Sequence, residues 1–93
     1  MRIGVLQVEL AIDQAYSLKE KRVVLNRLRD FIRRNFNVSF AEVGDNEVWN
    51  RACLAIVIVA NEQRFANQVL SKVVDALEDS RDCVLEDYSL EFL

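Results

Sequence analysis

Residues 17–36 read SLKEKRVVLNRLRDFIRRNF, the stretch of this 93-residue chain that encodes a helix most clearly. Apolar residues recur in it at three- and four-residue spacing, so they share one helix face and are expected to be buried. They are Val24, Leu25, Leu28, Phe31 and Ile32. Ser17 and Glu20 form a capping box, each side chain accepting from the other residue's amide. We expect Asn35 or Asn37 to close the helix in a left-handed conformation.

The same stretch carries most of the positive charge of an acidic protein. It holds seven basic and two acidic residues, a net charge of +5. Because the net charge of the whole chain is −3, the remaining residues carry a net charge of −8. At 100° per residue, Arg22, Asn26, Arg29 and Arg33 form a basic ridge apart from the apolar face, with Lys19 near its start. One interpretation, favoured because surface helices are usually charged, is a solvated face that shields the edge of the core. The other is a contact surface for phosphates, which the lack of mixed signs favours.

Strand patterns lie on both sides of this helix. From Arg2 to Ile12, residues on one side of the chain are apolar, which predicts a strand with one face on a core. The core-facing residues are Leu6, Val8, Leu10 and Ile12. Val38 to Val43 predicts a second strand. Arg51 to Ala60 is apolar on both sides and therefore predicts a strand in the middle of a sheet. The turn-like segment 44–50 predicts a hairpin between these two strands.

The pattern of residues 61–92 predicts a second helix followed by a fourth strand. We expect Asn61 to cap the helix, which runs to about Asp79. Its predicted buried residues are Phe65, Val69, Leu70, Val73 and Leu77. Cys83 to Phe92 predicts the strand, with Val84, Tyr88, Leu90 and Phe92 facing the core.

The order βαββαβ predicts a single α+β domain over residues 1–93 with a ferredoxin-like fold. Right-handed crossovers give a four-stranded antiparallel sheet of order 4-1-3-2, with both helices on one face. Cys53 and Cys83 would open the third and fourth strands, with the first strand between them. Strands two positions apart in a sheet are separated by about 9–10 Å, which is too far for a disulfide. Both cysteines are therefore predicted to be reduced.

Composition argues against several classes of function. The chain has no histidine and two cysteines, too few for an imidazole-based triad or a four-ligand zinc site. Glu42, Asp45 and Glu47 suggest a magnesium site, but acids in a hairpin turn are more often solvated. We therefore predict no enzyme activity, catalytic residue, metal, cofactor or small-molecule ligand. Neither a membrane-spanning run nor a signal-peptide pattern is present, so we expect a cytoplasmic protein without membrane contact.

The sheet is an unfavourable surface for RNA. RNA-recognition domains stack bases on sheet aromatics, whereas the first and third strands here have none, and the open face would present Gln7, Glu9, Asp87 and Glu91. Beside these acids, Val5 and one side of the third strand leave an apolar band, which favours self-association. Trp49 is either a lid on the core or an interface anchor. Tyr16 either stacks on a base or packs over the helix end.

Several short motifs resemble those of the YlxP-like family of small bacterial proteins of unknown function. They are Ser17-Leu18-Lys19-Glu20-Lys21-Arg22, Phe36-Asn37-Val38-Ser39, Ala41-Glu42-Val43-Gly44-Asp45 and Trp49 with Ala52. The resemblance implies a ferredoxin-like fold and a cytoplasmic protein. Genes of the family often lie near those for translation initiation and ribosome maturation, which suggests RNA or ribosome association. The resemblance implies no role for any single residue.

Two hypotheses follow from these observations. The first is a non-catalytic module that binds ribosomal or other structured RNA, with phosphate contacts from Lys19, Arg22, Arg29 and Arg33 and stacking from Tyr16. Lys21 lies nearer the buried side and is expected to serve the fold. The second is a homo-oligomeric scaffold or protein-interaction domain with no role in nucleic-acid binding, in which the basic ridge contacts an acidic protein or the acidic surface of another copy.

Overall fold

The structure is a computed structural model that describes all residues, Met1 to Leu93. Its six elements follow the predicted βαββαβ order. They are β1 (Arg2–Ala11), α1 (Leu18–Asn35), β2 (Ser39–Gly44), β3 (Arg51–Ala60), α2 (Gln63–Asp79) and β4 (Val84–Phe92). Each boundary lies within two residues of the prediction. None of the helices is both long and apolar enough to span a membrane.

The four strands form one antiparallel sheet in the order β2-β3-β1-β4, which is the predicted 4-1-3-2 order viewed from the other edge. β1 and β3, the two strands with the longest apolar stretches, lie in the centre. Leu6 of β1 is opposite Ile56 on one side and Leu90 on the other. One face of the sheet packs against both helices to give a single core, and this confirms the ferredoxin-like fold.

The helix faces were predicted correctly except at their margins. Val24, Leu25, Leu28 and Ile32 are buried, but Phe31 is 49% exposed and its predicted burial is wrong. In α2, Phe65 is 57% exposed and Val69 is half-buried, so the predicted face is also wrong at these two residues. The buried face of α2 is Ala66, Leu70, Val73, Val74 and Leu77. Phe31 instead lines an open groove of about 660 Å³ between the two helices, where no neighbouring side chain covers it.

A β-bulge changes which residues of β4 face the core. Asp87 pairs with Glu9 but Leu85 pairs with Leu10, so Glu86 is an extra residue that reverses the alternation. Leu85 therefore packs against the core, and Val84, predicted to be buried, is 52% exposed. Tyr88 lies opposite Val8, on the core side, yet is 50% exposed because β4 is an edge strand. Leu90 and Phe92 are half-buried against the core, as predicted.

The helix ends differ from prediction in three details. The Glu20 amide donates to Ser17 Oγ at 3.1 Å as expected, but the Glu20 carboxylate accepts from the Tyr16 amide, at 3.1 Å, rather than from that of Ser17. α1 ends in an extended Phe36, so the prediction of a left-handed asparagine is wrong. The residue before α2 is Glu62 rather than Asn61, and its side chain makes no capping hydrogen bond.

Candidate nucleic-acid interface

The basic ridge runs along the side of α1 that faces β2, one of the two edge strands of the sheet. Arg22, Asn26 and Arg29 line a shallow depression of about 160 Å³ beside Phe40 and Glu42 of β2. From Arg22 to Arg33 the ridge extends over eleven residues, about 16 Å at the rise of an α-helix. The cations are thus arranged in a row along α1, near one edge of the sheet.

Most of the ridge cations have no carboxylate partner within the protein. Arg29 is the exception, with its guanidinium 3.3 Å from Asp30 Oδ1, and both side chains of that pair are substantially exposed. No ion pair involves Lys19, Arg22 or Arg33, and each of these side chains is exposed. An exposed pair such as Arg29–Asp30 contributes little energy. Arg29 therefore remains available to an anionic partner at small cost.

Lys21, next to the ridge in sequence, has a different environment. Lys21 is 1% exposed, and its Nζ donates to the carbonyl oxygens of Asp45 and Val48, at 2.6 Å each. The same Nζ lies 2.7 Å from Glu42 Oε2. One ammonium thus joins α1 to both ends of the β2–β3 turn, and this confirms that Lys21 serves the fold.

Glu42 depends on Lys21 for compensation of its charge. Glu42 Oε2 is buried and makes no hydrogen bond, so the ammonium is the group that offsets its desolvation. Glu42 is therefore not the solvated hairpin acid that the sequence suggested. No group of three or more acidic or cysteine side chains is placed to hold a metal ion.

The β2–β3 turn, which Lys21 holds in place, also affects the pKa of the Cys53 thiol. Asp45 adopts a φ of 58°, a left-handed conformation that Asp and Asn tolerate better than most residues. Its carboxylate accepts from Cys53 Sγ at 3.2 Å. This hydrogen bond, followed by burial, raises the pKa of the Cys53 thiol, while burial raises the pKa of Cys83. Both thiols are free, as predicted.

Replacing Asp45 by asparagine is expected to make Cys53 more reactive toward iodoacetamide near pH 8. The variant removes the negative charge that stabilises the protonated thiol, so the pKa of Cys53 falls toward its ordinary value and the reactive thiolate fraction rises. Asparagine keeps the left-handed backbone accessible. The rate of alkylation, followed by mass spectrometry, measures the effect, with Cys83 as internal control. An unchanged Cys53 rate would contradict the role given to Asp45.

Tyr16 and Trp49 come together at the end of the molecule where α1 begins. Their ring centroids are 6.0 Å apart and their planes are inclined at 54°. Tyr16 is 73% exposed and Trp49 is 42% exposed. Trp49 is therefore a surface residue and not a buried lid on the core. The sequence places Tyr16 beside the ridge, but the contact between Tyr16 and Trp49 depends on the tertiary fold, which brings two distant loops together.

The open face of the sheet has the predicted character. Gln7, Glu9, Asp87 and Glu91 are exposed on it. Arg51, its one arginine, lies 3.2 Å from Glu86 and 4.0 Å from Glu9. Negative charge of this kind repels phosphate, so the open face is unfavourable for a polyanion. The apolar band is also present, with Val5, Ala55 and Val57 half-buried in the absence of a covering layer.

Fold and surface together define a small ferredoxin-like α+β protein with a polarised charge distribution. The chain belongs to the family described as "Protein of unknown function (DUF503)", whose profile matches residues 3–90. The uncharacterised protein YlxP of Bacillus subtilis (strain 168) is 36% identical over 72 residues, covering 77% of this chain and 78% of that protein. The family resemblance inferred from the sequence motifs is thereby confirmed.

A solved structure supports the fold independently of sequence. A de novo designed protein with ferredoxin fold, determined by solution NMR, superimposes with a TM-score of 0.60 at 13% identity. The match covers 100% of this chain and 84% of the designed one. At this identity the similarity concerns the fold alone.

Proposed function

We propose that this protein is a non-catalytic RNA-binding module of the cytoplasm that associates with the ribosome or with other structured RNA. Its contact surface is the basic ridge together with Lys19, whose cations bind phosphates without reading sequence. The observation that carries the proposal is that Lys19, Arg22 and Arg33 are exposed and unpaired in a protein whose net charge is −3. In an acidic protein with many carboxylates, an unneutralised row of cations indicates an external anionic partner.

The apolar band on the open face of the sheet supports a second candidate function. Val59, on the same side of β3 as Ala55 and Val57, is 66% exposed. A band of this kind suits a second copy of the chain or another protein, which would make the molecule a homo-oligomeric scaffold. This candidate uses the open face of the sheet, whereas the RNA-binding proposal uses the side of α1 that carries the basic ridge.

The proposal is tested by sedimentation of the native protein through a sucrose gradient of cell extract. At low salt we expect the protein to migrate with ribosomal particles, and at high salt to be released, because phosphate contacts weaken steeply with ionic strength. Treating the extract with nuclease separates the two candidates. Loss of the fast-sedimenting fraction supports RNA binding, whereas a large complex that survives nuclease supports the protein scaffold.

A further inference from the structure

Tyr16, which the sequence suggests as a base-stacking residue, belongs to an exposed aromatic pair with Trp49. Tyr16–Trp49 is the one aromatic contact in the protein. The rings are tilted, within the separation at which aromatic side chains attract each other. Because they meet on one side only, a large part of the Tyr16 ring faces solvent, as its 73% exposure indicates. Nucleobases stack on exposed aromatic rings of this kind.

Both rings stand on backbone that is held in place by hydrogen bonds. On either side of Trp49, the Val48 carbonyl accepts from Lys21 Nζ at 2.6 Å and the Asn50 carbonyl accepts from the Ile12 amide at 2.8 Å. The Tyr16 amide donates to Glu20 Oε1 at 3.1 Å. Exposed rings on fixed backbone lose little conformational entropy when a ligand binds, which is the property of a preorganised site.

The pair also lies where the row of cations begins. Tyr16 comes just before the first turn of α1, three residues before Lys19 and six before Arg22. Several acids share this end of the molecule, namely Asp13, Glu20, Asp45 and Glu47. They disfavour a phosphate directly over the rings. They do not oppose an uncharged base whose own phosphate lies one turn further along the helix.

We infer that Tyr16 and Trp49 form a stacking platform for an unpaired nucleobase of the same RNA whose phosphates contact the basic ridge. This inference rests on the proposed function and makes it more specific. The preferred ligand is then structured RNA with an unpaired nucleotide at the end of a helix, rather than blunt duplex. The ridge supplies affinity for any RNA, and the platform selects those with a base free to stack.

The test compares three RNA hairpins of the same stem: one blunt, one with a single unpaired 3′ adenosine, and one with an abasic residue in that position. We expect wild-type protein to bind the adenosine hairpin about tenfold more tightly than the other two. Tyr16→Phe keeps this preference because the ring remains. Tyr16→Ala loses this preference because the ring is removed. The Tyr16 side chain is exposed, so the substitution should leave the fold intact, and circular dichroism checks this. Trp49, the one tryptophan, reports the base directly through fluorescence quenching.

The outcomes separate the platform from the ridge. Equal, salt-dependent binding of all three hairpins with unchanged Trp49 emission would overturn the platform and leave the proposed function standing. Failure of every hairpin to bind would overturn both. If an arginine-rich peptide quenches Trp49 and the RNAs do not, the occupant is a cationic protein segment and the inference is wrong.

Discussion

Replacing Lys21 by methionine is expected to lower the free energy of unfolding by about 3–5 kcal/mol, the range for removal of one partner of a buried ion pair. Methionine fills a similar volume but leaves Glu42 Oε2 buried beside no cation. It also leaves the Asp45 and Val48 carbonyls without the lysine donor. Urea denaturation followed by circular dichroism measures the loss.

Two further variants distinguish this mechanism from a general effect of charge. Lys19→Met removes the same charge from an exposed position of the same helix and is expected to change stability by at most about 0.5 kcal/mol. Adding Glu42→Gln to Lys21→Met removes the uncompensated carboxylate and should recover part of the loss. Equal urea midpoints for Lys21→Met and Lys19→Met would show that the buried ammonium contributes nothing to the fold.

The second large effect is expected from reversing two charges of the basic ridge. If Lys19, Arg22, Arg29 and Arg33 each contact one phosphate, binding of structured RNA should weaken about 100-fold between 50 and 200 mM salt. Arg29→Glu with Arg33→Glu removes two of these contacts. The slope of log affinity against log salt should then fall to about half, and binding should be weaker at every salt concentration. Fluorescence anisotropy with labelled ribosomal RNA fragments measures both quantities.

A control variant with the same net charge separates the effect of the ridge from the effect of overall charge. Arg64→Glu with Lys72→Glu changes two exposed cations of α2 and brings the protein to the same net charge of −7 as the ridge variant. If RNA contacts the ridge, the α2 variant retains the wild-type salt slope. Equal losses in the two variants would assign binding to overall charge, and unaffected binding in the ridge variant would exclude the ridge.

Lys21 and Arg22 illustrate how adjacent residues of like charge acquire opposite roles. On a helix they are separated by 100°, which turns Lys21 toward the β2–β3 turn and Arg22 toward solvent. The basic count of α1 therefore overstates the ridge, because Lys21 is used inside the protein, and Arg27 and Arg34 line the groove between the two helices. The surface that remains for a partner is the ridge with Lys19.

Local patterns were sufficient for the fold. Period-two alternation in β1, the apolar run of β3 and the helical spacing of α1 depend on neighbours within a few residues, and together they determined element order and hence topology. The same patterns failed at Phe31, Phe65 and Val84. At these positions burial depends on whether another element happens to cover the residue, or on a bulge in the pairing of β4, and neither is encoded by spacing.

The sequence by itself determined the ferredoxin-like order of elements, the two free thiols and the concentration of positive charge on one side of α1. Only the tertiary structure decided that Lys21 compensates Glu42, that Tyr16 meets Trp49, and that Lys19, Arg22 and Arg33 have no carboxylate partner. The reason is distance along the chain. These contacts join residues between 21 and 33 positions apart, and they form only after β2 and β3 have folded back beside the start of α1.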